Sequence, residues 1–209
     1  MNVDPVDPVL HVRGLRFGWP GRALFEGLSF DVPPGVSLVQ GDEGSGKSTL
    51  LALIAGALQP SAGVLEVEGI RQDGRHADYR QRVFWIDPQT EAHDALAARA
   101  YLDSLGHHYP AFNADTLHEL VEGFGLQPHL AKPMYMLSTG SRRKVWLTAA
   151  FAAGTPLTLI DQPFAALDAP SIRFLRELLQ DAASDPARAW LLADYEAPEG
   201  VPLALRLAL

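Results

Sequence analysis

Nine consecutive residues near the start of the chain combine glycines, a lysine and hydroxyl groups in a spacing that suits phosphate binding. They read GDEGSGKST and are Gly41, Asp42, Glu43, Gly44, Ser45, Gly46, Lys47, Ser48 and Thr49. Glycines let backbone N–H groups converge on phosphate oxygens at the positive end of a following helix. Lys47 supplies a cation for those oxygens, and the Ser48 hydroxyl can bind Mg²⁺. The segment therefore predicts a nucleotide phosphate site.

A carboxylate that could serve the same site lies much further along the chain. The apolar stretch LTLI, residues 157–160, is followed directly by Asp161. A carboxylate at the end of a buried strand is placed to orient Mg²⁺ through its water shell. Many strands end in aspartate, so this assignment depends on the phosphate loop that accompanies it.

A second candidate anion site lies in the segment LSTGS, residues 137–141, directly before a predicted helix. Donors from Ser138, Gly140 and Ser141 at a helix N-terminus can bind an anion. The same letters are also typical of an ordinary helix cap, in which a serine hydroxyl accepts a backbone N–H. The residues alone leave both interpretations open.

The elements that must position these residues follow an alternating α/β pattern. We predict strands over 10–17, 28–32, 36–40, 64–67, 82–86, 157–160, 189–193 and 203–207, and helices over 47–55, 92–105, 114–126, 141–153 and about 170–183. The apolar stretch RVFWI, residues 82–86, has the composition of a strand buried on both faces of a parallel sheet. We therefore predict an α/β core with a parallel sheet, an antiparallel β layer near the N-terminus, and a helical subdomain inserted at about 88–136.

The composition narrows the possible partners and location. The chain has 47% hydrophobic and 20% charged residues, a net charge of −8 and no cysteine. An acidic balance argues against nucleic acid as a partner, and the lack of cysteine fits a reducing compartment. The start of the chain, MNVDPVDPVL, lacks the features of a secretion signal, and no apolar stretch reaches the ~20 residues of a membrane span.

The order and spacing of these motifs resemble the ATP-binding-cassette (ABC) family over nearly the whole chain. The phosphate loop comes first, then LSTGS, then the LTLID strand, then AALD at residues 165–168. LSTGS matches the family's L-S-G-G-Q signature at Leu137, Ser138 and Gly140, and it departs from that pattern at Thr139 and Ser141. The resemblance implies a P-loop NTPase fold, ATP and Mg²⁺ as ligands, and a single nucleotide-binding domain over 1–209, with the core and β layer in 1–87 and 137–209.

The resemblance also implies how the chain assembles. In that family the signature of one subunit closes over ATP held by the phosphate loop of another, so the subunits dimerise head to tail. It further implies that Trp19 stacks on adenine. The family's glutamine loop, which contacts the metal ion, falls at Gln89 or at Asp87, and both registers stay open. The helical subdomain is the region where a transmembrane permease would dock, which places the chain peripherally on the cytoplasmic face of the inner membrane. The short layout resembles exporter-type members.

Two positions depart from the family pattern at the hydrolytic end of the site. Gln162 stands where the family usually carries the glutamate that polarises the attacking water, and an amide cannot act as a general base. All seven histidines lie at or before His129, so none can be the family's switch histidine, which that resemblance places at the end of the strand following LTLID. Its position falls at Asp194, or at Ala193 if the register slips. Asp194 could also act as the base in place of Gln162.

These observations leave three functional hypotheses. The first is an ATPase subunit of a transporter, whose hydrolysis is slow or impaired. The second is an ATP-gated subunit that does not hydrolyse and pairs with an active paralogue. The third is a soluble, non-transport ABC protein, which the acidic charge and the lack of long coiled-coil insertions disfavour.

Overall fold

Two β-sheets and the helices around them make up the fold, seen in a computed structural model that describes residues 7–73 and 76–209. Residues 1–6, which contribute to the prediction of no secretion signal, lie outside the described residues. No helix in 7–73 or 76–209 has both the length and the apolar composition of a membrane span.

The elements follow the predicted alternation closely. The strands are β1 (Leu10–Trp19), β2 (Arg22–Val32), β3 (Gly35–Gln40), β4 (Ala62–Val67), β5 (Ile70–Arg71), β6 (Val83–Phe84), β7 (Leu157–Asp161), β8 (Ala189–Asp194) and β9 (Leu205–Ala208). The α-helices are α1 (Lys47–Ile54), α2 (His76–Arg80), α3 (Ala98–Ser104), α4 (Ala114–Gly123), α5 (Thr139–Ala152) and α6 (Ala169–Ala182). Short 3₁₀ helices span Leu105–His107, Gln127–His129 and Met134–Met136.

The parallel sheet brings together the strand ends that carry the candidate residues. In the described part of the chain it has five strands in the order β6-β7-β8-β3-β9. Gln40 at the end of β3 pairs with Asp194 at the end of β8, and Asp161 at the end of β7 pairs with Ala193. The phosphate loop leaves β3 at this same edge, which is where open α/β sheets bind ligands.

The antiparallel sheet, with strand order β2-β1-β4-β5 in the described residues, presents a hairpin turn to that edge. Strands β1 and β2 pair up to Trp19 and Arg22, on either side of the turn. The predicted combination of a parallel sheet and an antiparallel β layer is therefore confirmed.

The core lies on both faces of the parallel sheet because successive residues of a strand point to opposite sides. In β8, Trp190 and Leu192 join an apolar cluster with α5, α6 and the helices of residues 88–136. Leu191 and Ala193 join a second cluster with α1 and the antiparallel sheet. All four side chains are at most 2% exposed. Residues 88–136 thus share a core with the sheet, and their separation as an inserted subdomain stays a prediction.

Several predicted elements are shorter in the structure than the sequence suggested; the helix predicted over 114–126, for example, ends at Gly123. The strand predicted over 82–86 is wrong in extent, since only Val83 and Phe84 pair, and they do so at the sheet's edge. Trp85 and Ile86 instead pack against the two different core clusters. The helix predicted over 92–105 begins only at Ala98, because residues 96–98 exchange backbone hydrogen bonds with residues 132–134 instead of forming helical turns. Strand β5 and helix α2 were not predicted.

Candidate functional site

The loop between β3 and α1 has the backbone shape that its glycines predict. Gly44 and Gly46 take φ angles of +74° and +104°, in the left-handed region that other residues adopt only with strain. Gly46 is the N-cap of α1, so the loop ends at the positive end of that helix. The N–H groups of the first helical turn are therefore turned toward the loop, as an anion site requires.

Lys47 is folded back onto this loop. Its Nζ donates hydrogen bonds to the carbonyl oxygens of Gly41 and Asp42, at 2.6 and 2.8 Å. The same nitrogen lies over the ring of Tyr195, 4.3 Å from its centroid. Lys47 is only 6% exposed, so without a ligand its charge is satisfied by the protein.

The end of β7 faces the loop. The Gln162 N–H donates to the carbonyl oxygen of Ala193 at 2.8 Å, and Gln162 itself takes a left-handed φ of +46°. Asp161 and Gln162 line the same cleft as Lys47 and Ser48. The structure thus brings together the phosphate loop and the strand-end residues that the sequence placed more than a hundred positions apart.

Two adjoining clefts share five residues and form one groove across this edge. The phosphate-loop cleft is lined by Trp19, Arg22, Leu24, Glu43, Gly44, Gly46, Lys47, Ser48, Thr49, Asp161, Gln162 and Tyr195. The side cleft is lined by Trp19, Ser48, Thr49, Ala52, Ala57, Leu58, Trp85, Asp87, Pro88, Gln89, Arg143, Asp161 and Gln162. Three other residues of the phosphate loop with predicted roles do not line either cleft: Gly41, Asp42 and Ser45.

Trp19 stands at the mouth of both clefts. Its side chain is 50% exposed, and its ring meets Phe17 edge-on at a centroid distance of 5.2 Å. Half of the indole is open to solvent, so a planar base has room to stack on the exposed part. That placement suits the predicted contact with adenine.

Both candidates for the glutamine loop line the side cleft. Asp87 and Gln89 are exposed, and the Gln89 N–H donates to the Asp87 carboxylate at 2.9 Å. Thr90, the next residue, accepts a hydrogen bond from Arg142 of α5 through its carbonyl oxygen at 3.0 Å. The geometry favours neither residue over the other, because both face the same groove.

The LSTGS segment lies elsewhere and acts in this structure as a helix cap. Ser138 is the N-cap of α5, and its Oγ accepts the N–H of Ser141 at 3.1 Å. Helix α5 begins two residues earlier than predicted, which places Gly140 and Ser141 in its first turn. Ser138, Gly140 and Ser141 line neither cleft. Within one chain the signature and the phosphate loop therefore do not meet.

The signature instead packs against the loop that follows β7. A side chain at Gly140 would come within 2.5 Å of the carbonyl oxygen of Ala166. Lys144, one turn further along α5, forms an ion pair with Asp168 at 2.7 Å, which holds the pKa of that carboxyl below its ordinary value. These contacts fix the position of the signature segment relative to the loop that follows β7.

Two carboxylates and an arginine set the charge beside the loop. Burial raises the pKa of Asp194, and the nearby Asp161 carboxylate raises it further, while Lys47 acts in the opposite direction. Arg143 donates to the carbonyl oxygen of Asp161 at 2.7 Å. Burial lowers the pKa of Arg143, and the charges of Asp161 and Asp194 oppose that effect. Asp194 is therefore a half-buried acid whose ionised form is less favourable than in water.

Asp194→Asn is expected to stabilise the protein at neutral pH. A pKa raised by folding means that stability falls as the pH rises from the unfolded value, about 4, through the higher folded value. The asparagine side chain carries no charge and so removes that loss. Its carbonyl oxygen can still accept the hydrogen bond from the Tyr195 N–H, which lies 2.8 Å from the Asp194 carboxylate. After allowance for solvent screening we expect a gain of about 0.5 kcal/mol.

Urea unfolding of both proteins at pH 7.5 and pH 3.5 measures this effect. The gain should vanish at pH 3.5, and Glu119→Gln on the exposed face of α4 should show no such difference between the two pH values. An equal gain at both pH values would mean that charge is not its cause.

Together the sheet, the loop and Asp161 define a phosphate-loop nucleotide-binding protein. The chain belongs to the ABC transporter family, whose sequence model matches residues 25–165. The predicted family is confirmed, and the chain is an ATP-binding subunit of that family.

Individual relatives agree with this assignment. The cytochrome c biogenesis ATP-binding export protein CcmA of Pseudomonas savastanoi pv. phaseolicola is 34% identical over 177 residues, which cover 84% of this chain and 83% of that protein. The taurine import ATP-binding protein TauB of Yersinia pestis bv. Antiqua is 31% identical over 202 residues, which cover 96% of this chain and 79% of that protein. A solved structure of the ATP-binding subunit of an ABC transporter has a TM-score of 0.77 at 26% identity, covering 88% of this chain and 79% of that chain.

Three residues in or beside the site were missed in the sequence. Tyr195 covers Lys47, Arg143 holds the Asp161 carbonyl, and Arg22 donates to the carbonyl oxygen of Gly44 at 3.1 Å. Tyr195 had a usable signal, because it directly follows a parallel strand that ends at the ligand edge. The contacts of the two arginines have no local signature in the sequence.

Proposed function

We propose that the chain binds Mg-ATP at its phosphate loop, closes head to tail on a second nucleotide-binding subunit, and drives a transmembrane permease. We further propose that its own site hydrolyses ATP slowly. The observation that carries this proposal is the shared cleft of Lys47, Ser48, Asp161 and Gln162. The groove offers a cation for phosphate at one end and an exposed indole for the base at the other.

The groups that line the groove fit a magnesium ion. The Ser48 hydroxyl, the Asp161 carboxylate and the side-chain amide of Gln89 all line the side cleft, and hard oxygen ligands suit Mg²⁺. When bound, the ion neutralises phosphate charge. Lys47 would bind the phosphate oxygens after giving up its bonds to the loop carbonyls.

Slow hydrolysis follows from the chemistry of Gln162 and its neighbours. Gln162 can orient a water molecule but cannot take its proton. Asp194 is a carboxylate, yet it lies near Asp161, and its charge repels phosphate. The loss of a general base lowers a rate by about 10²- to 10⁴-fold.

The signature and an apolar patch support the proposed partners. Ser138 and Thr139 are exposed and line neither cleft of this chain's groove. A second subunit's nucleotide would therefore have access to them. Leu96, Tyr135 and Met136 are 42%, 64% and 59% exposed. Their segments are joined by backbone hydrogen bonds beside the signature, which supports permease docking there on the cytoplasmic face of the membrane.

Lys47→Ala is expected to weaken Mg-ATP binding by about 10- to 100-fold, because it removes a charge-assisted contact with phosphate. Tryptophan fluorescence can measure this, since Trp19 and Trp85 line the groove while Trp146 and Trp190 are buried. Phosphate release by the same samples gives turnover. Trp19→Phe and Trp85→Phe, compared with each other, should identify the source of the fluorescence change.

Each result of this titration has a separate meaning. Equal affinity in the wild type and in Lys47→Ala would contradict nucleotide binding at this loop. Tight binding with turnover of roughly 1 per second or faster, the range of ordinary enzymes, would contradict slow hydrolysis and make Asp194 the first candidate base.

A second candidate is a regulatory subunit that binds ATP without hydrolysis and pairs with an active paralogue. The chemistry of two residues favours it, because Gln162 cannot take a proton and the charge of the Asp194 carboxylate repels phosphate. Turnover that occurs only when a paralogue is mixed with this chain would distinguish this candidate from a self-sufficient ATPase.

A further inference from the structure

The phosphate-binding cation of this chain is covered by an aromatic ring. The Lys47 Nζ donates to the carbonyl oxygens of Gly41 and Asp42, and the ring of Tyr195 lies 4.3 Å from it. An ammonium group has three N–H donors, and a cation within about 6 Å of a ring centroid is attracted to the ring face. The carbonyls and the ring therefore occupy the directions from which Lys47 could reach a ligand.

The backbone of Tyr195 is fixed, whereas its ring is not enclosed. The Tyr195 N–H donates to the Asp194 carboxylate, and its carbonyl oxygen accepts from Gln40 Nε2, each at 2.8 Å. The side chain is 44% exposed and lines the phosphate-loop cleft. The ring can thus leave Lys47 by side-chain rotation alone, without movement of β3 or β8.

Phosphate and the ring compete for the same charge. A nucleotide phosphate that enters the loop needs the Lys47 ammonium, and Lys47 is only 6% exposed while Tyr195 covers it. The contact with the ring is weaker than the charge-assisted bonds that phosphate would offer, so it yields on binding but lowers the net gain.

We propose that Tyr195 is a latch on the phosphate loop, which holds Lys47 in the nucleotide-free chain and must be displaced by the β- and γ-phosphates of an entering nucleotide. Tyr195 is a positioning residue that acts through Lys47. The latch rests on the proposed binding of ATP at this loop. It predicts that the wild-type ring lowers nucleotide affinity.

The sign of this effect separates a latch from a direct phosphate contact. Tyr195→Leu removes the ring, and Tyr195→Phe keeps the ring but removes the hydroxyl. A latch predicts that the Leu variant binds Mg-ATP about 3- to 10-fold more tightly than wild type, and that the Phe variant binds like wild type. A hydroxyl that binds phosphate predicts weaker binding by both variants, and that result would overturn the latch.

The contact can be observed directly because the chain has only three lysines, Lys47, Lys132 and Lys144. Lysine labelled with ¹³C gives one side-chain signal set for each, and Lys47→Ala identifies the set of Lys47. Without nucleotide, the Lys47 methylene protons next to Nζ should be shifted upfield by the ring in wild type and Tyr195→Phe, but not in Tyr195→Leu. Saturating Mg-ATP should remove the shift.

Two results of the spectra would overturn the latch. One is an upfield shift that persists with saturating Mg-ATP, which would show a permanent contact between Lys47 and the ring. The other is the absence of the upfield shift in the free protein, which would show that there is no contact. If wild type binds Mg-ATP and Tyr195→Leu binds no tighter, the latch alone fails. If wild type binds no Mg-ATP, the proposed function fails as well.

Discussion

Replacing Gln162 with glutamate is expected to raise the rate of ATP hydrolysis by about 10²- to 10⁴-fold, the usual contribution of a positioned general base. Gln162 lines the groove together with Lys47, Ser48 and Asp161, so a carboxylate at this position would face the same space. Glutamate has nearly the shape of glutamine and can keep the N–H bond to Ala193. Phosphate release at saturating Mg-ATP measures the change.

Saturation is necessary because the new charge would stand near Asp161 and Asp194 and would weaken ATP binding. Gln162→Ala is the matched control, since it removes the amide without supplying a base, and its turnover should stay at or below the wild-type level. An unchanged rate in Gln162→Glu would mean that the missing base does not limit hydrolysis. If the wild type already turns over and Asp194→Asn abolishes that activity, Asp194 is the base.

The phosphate loop could be predicted from sequence because its function depends on local backbone. Gly44 and Gly46 are required where φ is positive, and Lys47 and Ser48 follow at fixed spacing at the start of α1. Central strands could be predicted for a similar reason. The stretch AWLLA is apolar at every position because β8 is covered on both faces.

The errors arose where distant pairing decides local structure. RVFWI has the same apolar character as AWLLA, but among the described residues β6 has a strand neighbour on one side only, and pairing ends after Phe84. The pattern of residues 92–105 suits a helix, yet the N–H of Ala98 bonds to the carbonyl oxygen of Lys132. The hydrophobic pattern of a sequence predicts which residues are buried. It does not predict which other segment forms hydrogen bonds with their backbone groups.

The same limit applies to the site. Asp161 could be proposed from its place after an apolar strand and Gln162 from the family resemblance, but their relation to Asp194 and Arg143 depends on the order of strands in the sheet. Tyr195 reaches Lys47 only because β8 lies next to β3. Sequence spacing gives no measure of that adjacency, so the contacts of Arg143 and Tyr195 at the site emerged only from the structure.

Gly154→Ala is expected to destabilise the protein by about 2 to 3 kcal/mol. Gly154 follows the end of α5 with a φ of +68°, and a Cβ there would overlap the carbonyl oxygen of Ala111. The neighbouring Asn113 N–H donates to the Ala152 carbonyl oxygen at 3.0 Å, so the backbone cannot retreat without loss of that bond. A left-handed non-glycine residue costs roughly 1 to 2 kcal/mol, and the lost bond adds about 1 kcal/mol. Urea unfolding measures the sum.

Gly125→Ala separates the two contributions, because Gly125 also follows a helix, with a φ of +64°, but a Cβ at this position would have no neighbouring atom within 4 Å. The Gly125→Ala variant should lose only the free energy of unfolding that corresponds to the left-handed conformation, about 1 to 2 kcal/mol. An equal loss in both variants would mean that residues 111–113 do not hold the end of α5. A larger loss at Gly154 would mean that α5, which is capped by Ser138 and carries Arg143, is anchored at its far end by the segment leading into α4.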